Sequence, residues 1–282
     1  MNYLDRPLVV ELAQLALDAY NSPTEDNLRQ NEFNQIWAKV DEWPRKDDFT
    51  RTVGVGKTTD YDQYTGFYAS FYENIATGVG VIAIRGTDST LDDIVDIEYV
   101  SNKAFAQYEE AISFFHTVKN HYLFSGIQKI YVCGHSLGGI LAKMVAPITG
   151  YDTIAFNSPG VREYLDLRHL PTHYSGIKAT PYKDAFDRQQ IITYCARADT
   201  IGNLRHDNDL GSYKFVDVKG GQQIPEKNDR LDRAALIVDS FIEKIKDKDG
   251  STHLSLRQPL SYHSMKDLYE ALRNSEYQHD RL

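Results

Sequence analysis

The chain has 282 residues, 31 Lys and Arg against 40 Asp and Glu, and a formal charge of −9. With 41% hydrophobic and 25% charged residues, 18 Gly and 9 Pro, it has ordinary globular composition, which excludes collagen-like, coiled-coil and disordered chains. The acidic balance argues against nucleic-acid binding, because neutralising a phosphate backbone needs clustered Lys and Arg, and against electrostatic adsorption to an anionic bilayer. The 19 Tyr beside 3 Met predict an amphipathic, wet aromatic surface.

Taken in chain order, Leu8 to Tyr20 carries Glu11, Gln14 and Asp18 among apolar residues and reads as an amphipathic helix. The helical pattern extends to Val40 with a break at Asn21-Ser22-Pro23, and a charged loop follows from Asp41 to Asp48. Gly66 to Glu73 and the apolar run Val79 to Arg85 read as two strands of an antiparallel hairpin around Asn74 to Gly78. The period then turns helical over Thr90 to Tyr99 and Ala104 to Tyr122. Lys129 to Cys133 is a short apolar strand that leads into a helix from Leu137 to Ala146, ended by Pro147. Further strands are expected at Thr153 to Phe156 and Ile191 to Cys195, and helices at Leu231 to Lys246 and Met265 to Arg273.

Strands alternating with helical crossovers predict an α/β fold with a mainly parallel central sheet and helices on both faces. An α/β chain of about 250 residues commonly forms one domain. One domain over residues 1–282 is expected here, with 1–60 an N-terminal helical extension and 161–190 an insertion. Cys133 and Cys195 sit in apolar runs and read as buried, reduced thiols. The N-terminus lacks the layout of a signal peptide and no apolar stretch is long enough to span a bilayer. The expectation is a soluble protein, cytoplasmic or exported without a recognisable cleaved signal.

The sharpest motif is Gly134-His135-Ser136-Leu137-Gly138-Gly139, a G-x-S-x-G sequence between an apolar strand and an amphipathic helix. A serine in that setting occupies a tight strand-to-helix turn that lifts its hydroxyl out of the sheet, so its neighbours two positions away must be tiny. The helix N-terminus points at it, and the Leu137 amide can stabilise an oxyanion. The competing reading is a glycine-rich turn with an N-capping serine.

A serine nucleophile needs a base and an orienting acid, which follow it in the order acid, then histidine. Asp199 follows the strand Ile191 to Cys195, with Asp207 and Asp209 as rivals in a polar run that reads as a solvated loop. Of the later histidines, His206 is too close to the acid and His279 too near the end. His263 is favoured over His253 because it directly precedes a helix capped by Ser264 with Asp267 three residues on. A second oxyanion donor is expected on the loop after Val79 to Ile84, where Gly86 permits close approach. Thr87 offers its amide, and Asp92 or Asp93 could orient its hydroxyl.

Two other motifs fail on inspection. Val53 to Thr59 imitates a phosphate-binding loop but has Arg51 where the first glycine belongs. Asp247-Lys248-Asp249-Gly250 imitates a calcium loop but has Ile245 and Leu256 at the first and twelfth places. It reads as a turn after a charged helix.

Together, Ile84-Arg85-Gly86-Thr87, the Gly134 to Gly139 motif, Phe156-Asn157-Ser158-Pro159-Gly160, the Asp199 segment and Tyr262-His263-Ser264-Met265 resemble the class 3 lipases. This branch of the α/β-hydrolases includes fungal triacylglycerol lipases and related bacterial phospholipases. The resemblance spans roughly residues 60 to 275. It implies Ser136 as nucleophile, Asp199 as acid, His263 as base and Thr87 with Leu137 as oxyanion hole. Fungal members carry a distinct amphipathic lid; here only Leu91 to Phe105 could serve, and Asp92, Asp93, Asp96 and Glu98 are interleaved among its apolar Ile94, Ile97, Tyr99 and Val100, a departure from the fungal pattern. The expected reaction is hydrolysis of a lipid carboxylic ester, of lipase or phospholipase A type, with no metal or cofactor and with transient contact at a lipid interface. An esterase on short soluble esters and a non-catalytic lipase-like binding module are the alternatives.

Overall fold

The apolar runs that read as strands become the middle of a seven-stranded sheet buried on both faces. A computed structural model of the chain describes residues 6–20, 37–43, 66–74, 76–86, 97–122, 126–161, 173–174, 177–178, 191–197, 199, 201–203, 209–218, 243–246, 252–255 and 263–274. In order, the elements are α1 (Arg6–Asp18), β1 (Ala38–Trp43), β2 (Ala69–Asn74), β3 (Val79–Ile84), α2 (Ile97–Tyr122), β4 (Lys129–His135), α3 (Leu137–Thr149) and β5 (Asp152–Phe156). There follow β6 (His173–Tyr174), β7 (Ile177–Lys178), β8 (Ile191–Ala196), β9 (Ser212–Val216), β10 (Glu243–Lys246), β11 (Thr252–Ser255) and α4 (Met265–Asn274).

The sheet order is β1-β2-β3-β4-β5-β8-β9, while β6-β7 and β10-β11 form two-stranded ladders. β2 pairs antiparallel with β1 on one side and β3 on the other, and β3, β4, β5, β8 and β9 run parallel. Successive strand residues face opposite sides. Ile82 and Val132 pack with Ile112 and Phe115 of α2 and Ile140 and Leu141 of α3. Ala83 and Cys133 pack with Leu12 and Ala16 of α1 and Met265 and Leu268 of α4. Each such Leu or Ile stabilises the fold by about 1.5–3 kcal/mol through burial, and together they hold the central strand that leads into Ser136.

Several elements differ from the sequence reading. The helical pattern assigned from Leu8 to Val40 ends at Asp18, and Ala38–Trp43 is a strand along β2, with a register shift between Lys39 and Asp41. Its backbone partners lie in a later segment, which local periodicity does not reveal; residues 21–36 and 44–48 lie outside the described residues. The expected helices at Thr90 to Tyr99 and Ala104 to Tyr122 are joined in α2 from Ile97 onward, and residues 90–96 lie outside the described residues. Pro147 does not end α3. The helix continues to Thr149 and stops at Gly150, which takes φ 69° and donates its N–H to Ala146 O at 2.9 Å. Burial of Val145, Ala146 and Pro147 keeps the last turn helical despite the lost ladder bond. Glu243–Lys246, read as the end of a helix, pairs with Thr252–Ser255 instead; residues 231–242 lie outside the described residues.

Both cysteines are buried free thiols, and burial pushes each above its ordinary range. The tyrosine surplus is not a wet surface among the described residues. Tyr68, Tyr72, Tyr131 and Tyr194 belong to the core, and several hydroxyls reach fixed acceptors: Tyr72 donates to Asp18 at 2.6 Å and Tyr269 to Gln14 at 3.1 Å. Thus the polar residues of α1 serve as acceptors for aromatics on the sheet and on α4. Among the described residues, no helix is long and apolar enough to cross a membrane.

Asp209, read as part of a solvated run, is buried in an ion pair. Lys143 Nζ on α3 lies 2.5 Å from Asp209 Oδ2, with side-chain exposures of 0% and 1%. Lys143 also donates to Pro159 O at 2.7 Å, Asp209 accepts Val161 N–H at 2.7 Å, and Tyr213 O–H donates to Asp209 at 2.9 Å and to Ser158 O at 3.0 Å. The network ties the loop after β5 to α3 and β9. Because removing one partner strands a buried charge, Lys143→Met should cost about 3–5 kcal/mol in urea unfolding. A loss below about 1 kcal/mol, the range of an exposed pair, would show that the network does not anchor this loop.

Candidate active site

Only Ser136 separates β4 from α3, and the turn it makes sets the backbone requirements. Ser136 takes φ 55° and ψ −121°, a sparsely populated conformation for a residue with a side chain. The glycines on either side allow the close approach: a Cβ on Gly134 would stand 2.3 Å from Gly138 O, and one on Gly138 would stand 2.2 Å from Ile84 O. The start of α3 is therefore pressed against the end of β3, where the Arg85-Gly86 stem begins. Leu137 is the first helical residue, and the first N–H groups of a helix have no acceptor within it.

Ser136 makes no side-chain cap on α3, which removes the plain N-cap reading. Its hydroxyl instead donates to His263 Nε2 at 2.7 Å, and His263 Nδ1–H donates to Asp199 Oδ2 at 2.9 Å. The three residues are 2%, 5% and 0% exposed respectively. His263 stands just ahead of α4, whose first turn is fixed by Asp267 N–H donating to Ser264 Oγ at 3.3 Å. Asp199 follows β8 and is held by its own turn: Oδ1 accepts Ile201 N–H at 3.0 Å and Oδ2 accepts Gly202 N–H at 3.1 Å. Asn203 Nδ2 also donates to the Asp199 carbonyl. The carboxylate is thus aimed before the histidine meets it.

Sequence reasoning missed three residues around this chain. Asn157, at φ 44°, ends β5; its Oδ1 accepts Ala196 N–H at 2.8 Å and its N–H donates to Tyr194 O at 2.9 Å. It links β5, beside the strand that leads into Ser136, to the strand that delivers Asp199. The left-handed backbone of an Asn in Asn-Ser-Pro-Gly was the available signal. His135 is buried, with Nδ1 2.6 Å from Tyr20 Oη and Nε2 2.8 Å from His263 O. No local pattern joins Tyr20 to His135, because the pair is 115 residues apart.

Of the remaining candidates, His253 lies on β11 opposite Ile245, and Asp209 belongs to the Lys143 network. Thr87, Asp92, Asp93, His206, Asp207 and His279 lie outside the described residues, as does the 91–96 part of the Leu91 to Phe105 segment; 97–105 form the start of α2.

A family model described as the Tle-like phospholipase domain matches residues 11–234, a span that includes Ser136 and Asp199 and stops before His263. The extracellular phospholipase A1 of Serratia liquefaciens is 29% identical over 111 residues, 39% of this chain and 33% of that protein. The match thus spans about a third of the curated relative. Among solved structures, lipase II from Rhizopus niveus aligns with a TM-score of 0.54 at 12% identity, over 84% of this chain and 93% of that chain. A lipase from Rhizopus microsporus var. chinensis aligns with a TM-score of 0.52 at 13% identity, over 84% and 86%. These likenesses establish an α/β-hydrolase fold, with its mainly parallel sheet covered on both faces by helices.

Burial holds His135 well below its ordinary pKa of 6.5, and charge on His263 pushes the same way, against the hydrogen bond to His263 O. The native state therefore stays unprotonated at a pH where the unfolded chain, at about 6.5, takes up a proton. Stability from this group is complete above about pH 6.5 and declines as pH falls below it, by at most about 1.4 kcal/mol per pH unit. The Tm of the wild type should accordingly drop faster than that of His135→Gln between about pH 6.5 and 5. A constant difference between the two across that window would mean that His135 is charged in the fold.

Proposed function

The chain belongs to the family of Tle-like phospholipase domains, and from that premise we propose that it hydrolyses a carboxylic ester of a lipid, as a lipase or phospholipase of A type. The observation that carries this reading is the continuous hydrogen-bond chain from Ser136 through His263 to Asp199. Ser136 is the nucleophile: its Oγ attacks the ester carbonyl as His263 Nε2 accepts the hydroxyl proton. Asp199 keeps His263 in the tautomer with hydrogen on Nδ1 and stabilises the imidazolium. The amides of Leu137 and Thr87 receive the oxyanion, the first at the positive end of α3.

Collapse of the tetrahedral intermediate expels the alcohol, which takes its proton from His263 Nε2. Water, deprotonated by the same nitrogen, then attacks the acyl-enzyme and releases the fatty acid. Every proton moves through His263, so this route needs neither metal nor cofactor. With a net charge of −9, access to a lipid surface rests on apolar and aromatic contacts around the site rather than on attraction to anionic head groups.

Ser136→Ala should fold with an unchanged Tm yet lose both p-nitrophenyl ester hydrolysis and labelling by a fluorophosphonate. Asp199→Asn should lower kcat by about 10⁴-fold, as expected when the histidine tautomer is no longer fixed. Turnover surviving in folded Ser136→Ala would overturn the assignment. Mass spectrometry of a phospholipid and triacylglycerol panel identifies the substrate class by the fatty acid and lysolipid or diacylglycerol released. A rate maximum at short acyl chains below the solubility limit would favour a soluble-ester substrate instead.

A further inference from the structure

The hydrogen-bond chain of the proposed site uses both ring nitrogens of His263 and leaves unexplained what holds that residue's backbone over Ser136. The described contacts supply an answer on the opposite side. His135, the residue before the nucleophile, is 5% exposed. Its Nε2–H donates to the His263 carbonyl at 2.8 Å, and its Nδ1 accepts the Tyr20 hydroxyl at 2.6 Å. The Tyr20 ring meets it edge-on, with centroids 5.7 Å apart, and the His263 ring is 4.9 Å away.

The neutral imidazole satisfies both bonds with hydrogen on Nε2, because the carbonyl can only accept and Nδ1 is then free to accept the phenol proton; the imidazolium could instead donate to the phenol oxygen, but burial disfavours that charged form. The Tyr20 hydroxyl also rests on the stem of the loop after β3. A Cβ at Gly86 would stand 2.1 Å from it and 2.6 Å from the His135 carbonyl. One polar assembly therefore touches the residue before Ser136, the backbone of His263 and the residue before Thr87.

Resting on the hydrolase reading above, we infer that His135, with its tautomer set by Tyr20, is a positioning residue that fixes His263 over Ser136 without touching substrate. The carbonyl bond to His135 links His263, which stands just ahead of α4, to the strand that leads into Ser136. Releasing that link lets the imidazole drift relative to Oγ, and a displacement of about 1 Å in a reacting pair costs about 10²-fold in rate. Neutrality matters as well: a cation on His135 would repel the imidazolium that forms on His263 during acylation. Burial keeps His135 unprotonated, and the Tyr20 hydroxyl occupies the nitrogen that would otherwise take the proton.

Three variants test this. His135→Leu removes both bonds, His135→Gln keeps an N–H donor near the Nε2 position, and Tyr20→Phe removes one hydroxyl. On a p-nitrophenyl ester, His135→Leu should lose about 10²-fold in kcat with KM within about twofold, and His135→Gln should recover most of that loss. Tyr20→Phe should fall between them. Independently of any substrate, the downfield proton resonance of the His263–Asp199 hydrogen bond should shift or broaden in His135→Leu and Tyr20→Phe and persist in His135→Gln. An unmoved resonance with wild-type kcat in His135→Leu would overturn the inference. So would equal losses in the Leu and Gln variants, which would mean that the ring only fills space. If His135→Leu does not fold, the Tyr20→Phe resonance decides the matter. A wild type that turns over no ester would defeat the hydrolase reading, while the resonance would still judge the positioning role.

Discussion

A strand cannot pass into a helix through one residue unless that residue leaves the ordinary backbone regions, and here the residue is Ser136 at φ 55°. The surrounding structure follows from holding that turn. Gly134 and Gly138 are small because each faces a carbonyl at a distance no side chain tolerates. Leu137, Ile140 and Leu141 bury the helix that follows. The strain, about 1–3 kcal/mol for such a conformation, is offset by a core on both sides of β4. What the strain achieves is direction: the hydroxyl leaves the sheet toward His263 instead of capping its own helix.

Parallel strands put their following loops at one end of the sheet, which is where open α/β folds place their sites. β3 ends at the Arg85-Gly86 stem, β4 at Ser136, β5 at Asn157 and β8 at the Asp199 turn. Asn157 fastens the last two to each other. Behind them, the Lys143–Asp209 pair secures the loop that continues from Asn157. A buried ion pair is a poor source of net stability compared with apolar packing, but its fixed donors and acceptors specify one arrangement of that loop.

The parts of this site legible in the sequence are those whose physics is local. The elbow shows in five residues because tight turns demand glycine, Asp199 shows because it follows the strand Ile191 to Cys195 and its N–H donors sit two and three residues on, and His263 shows because Ser264 marks the helix start. The sheet order of the hairpin and the two-faced core follow from apolar runs. What escaped is set by distant partners. The Glu11, Gln14 and Asp18 side chains look like a solvated helix face, yet their aromatic partners Trp37, Tyr269 and Tyr72 lie far along the chain. Asp209 looks solvated because Lys143 is 66 residues away. β1 looks helical because its hydrogen bonds belong to β2.

The first and last described helices lie side by side on one face of the sheet, and both contribute to the same few ångströms of chemistry. During synthesis the elbow at Ser136 emerges from the ribosome 127 residues before His263, its proposed base. The nascent chain can therefore complete most of its parallel sheet while its serine still lacks a proton acceptor. In the proposed mechanism that acceptor arrives only with the docking of α4, the final described element, so reactivity comes after the sheet is built rather than with the elbow itself.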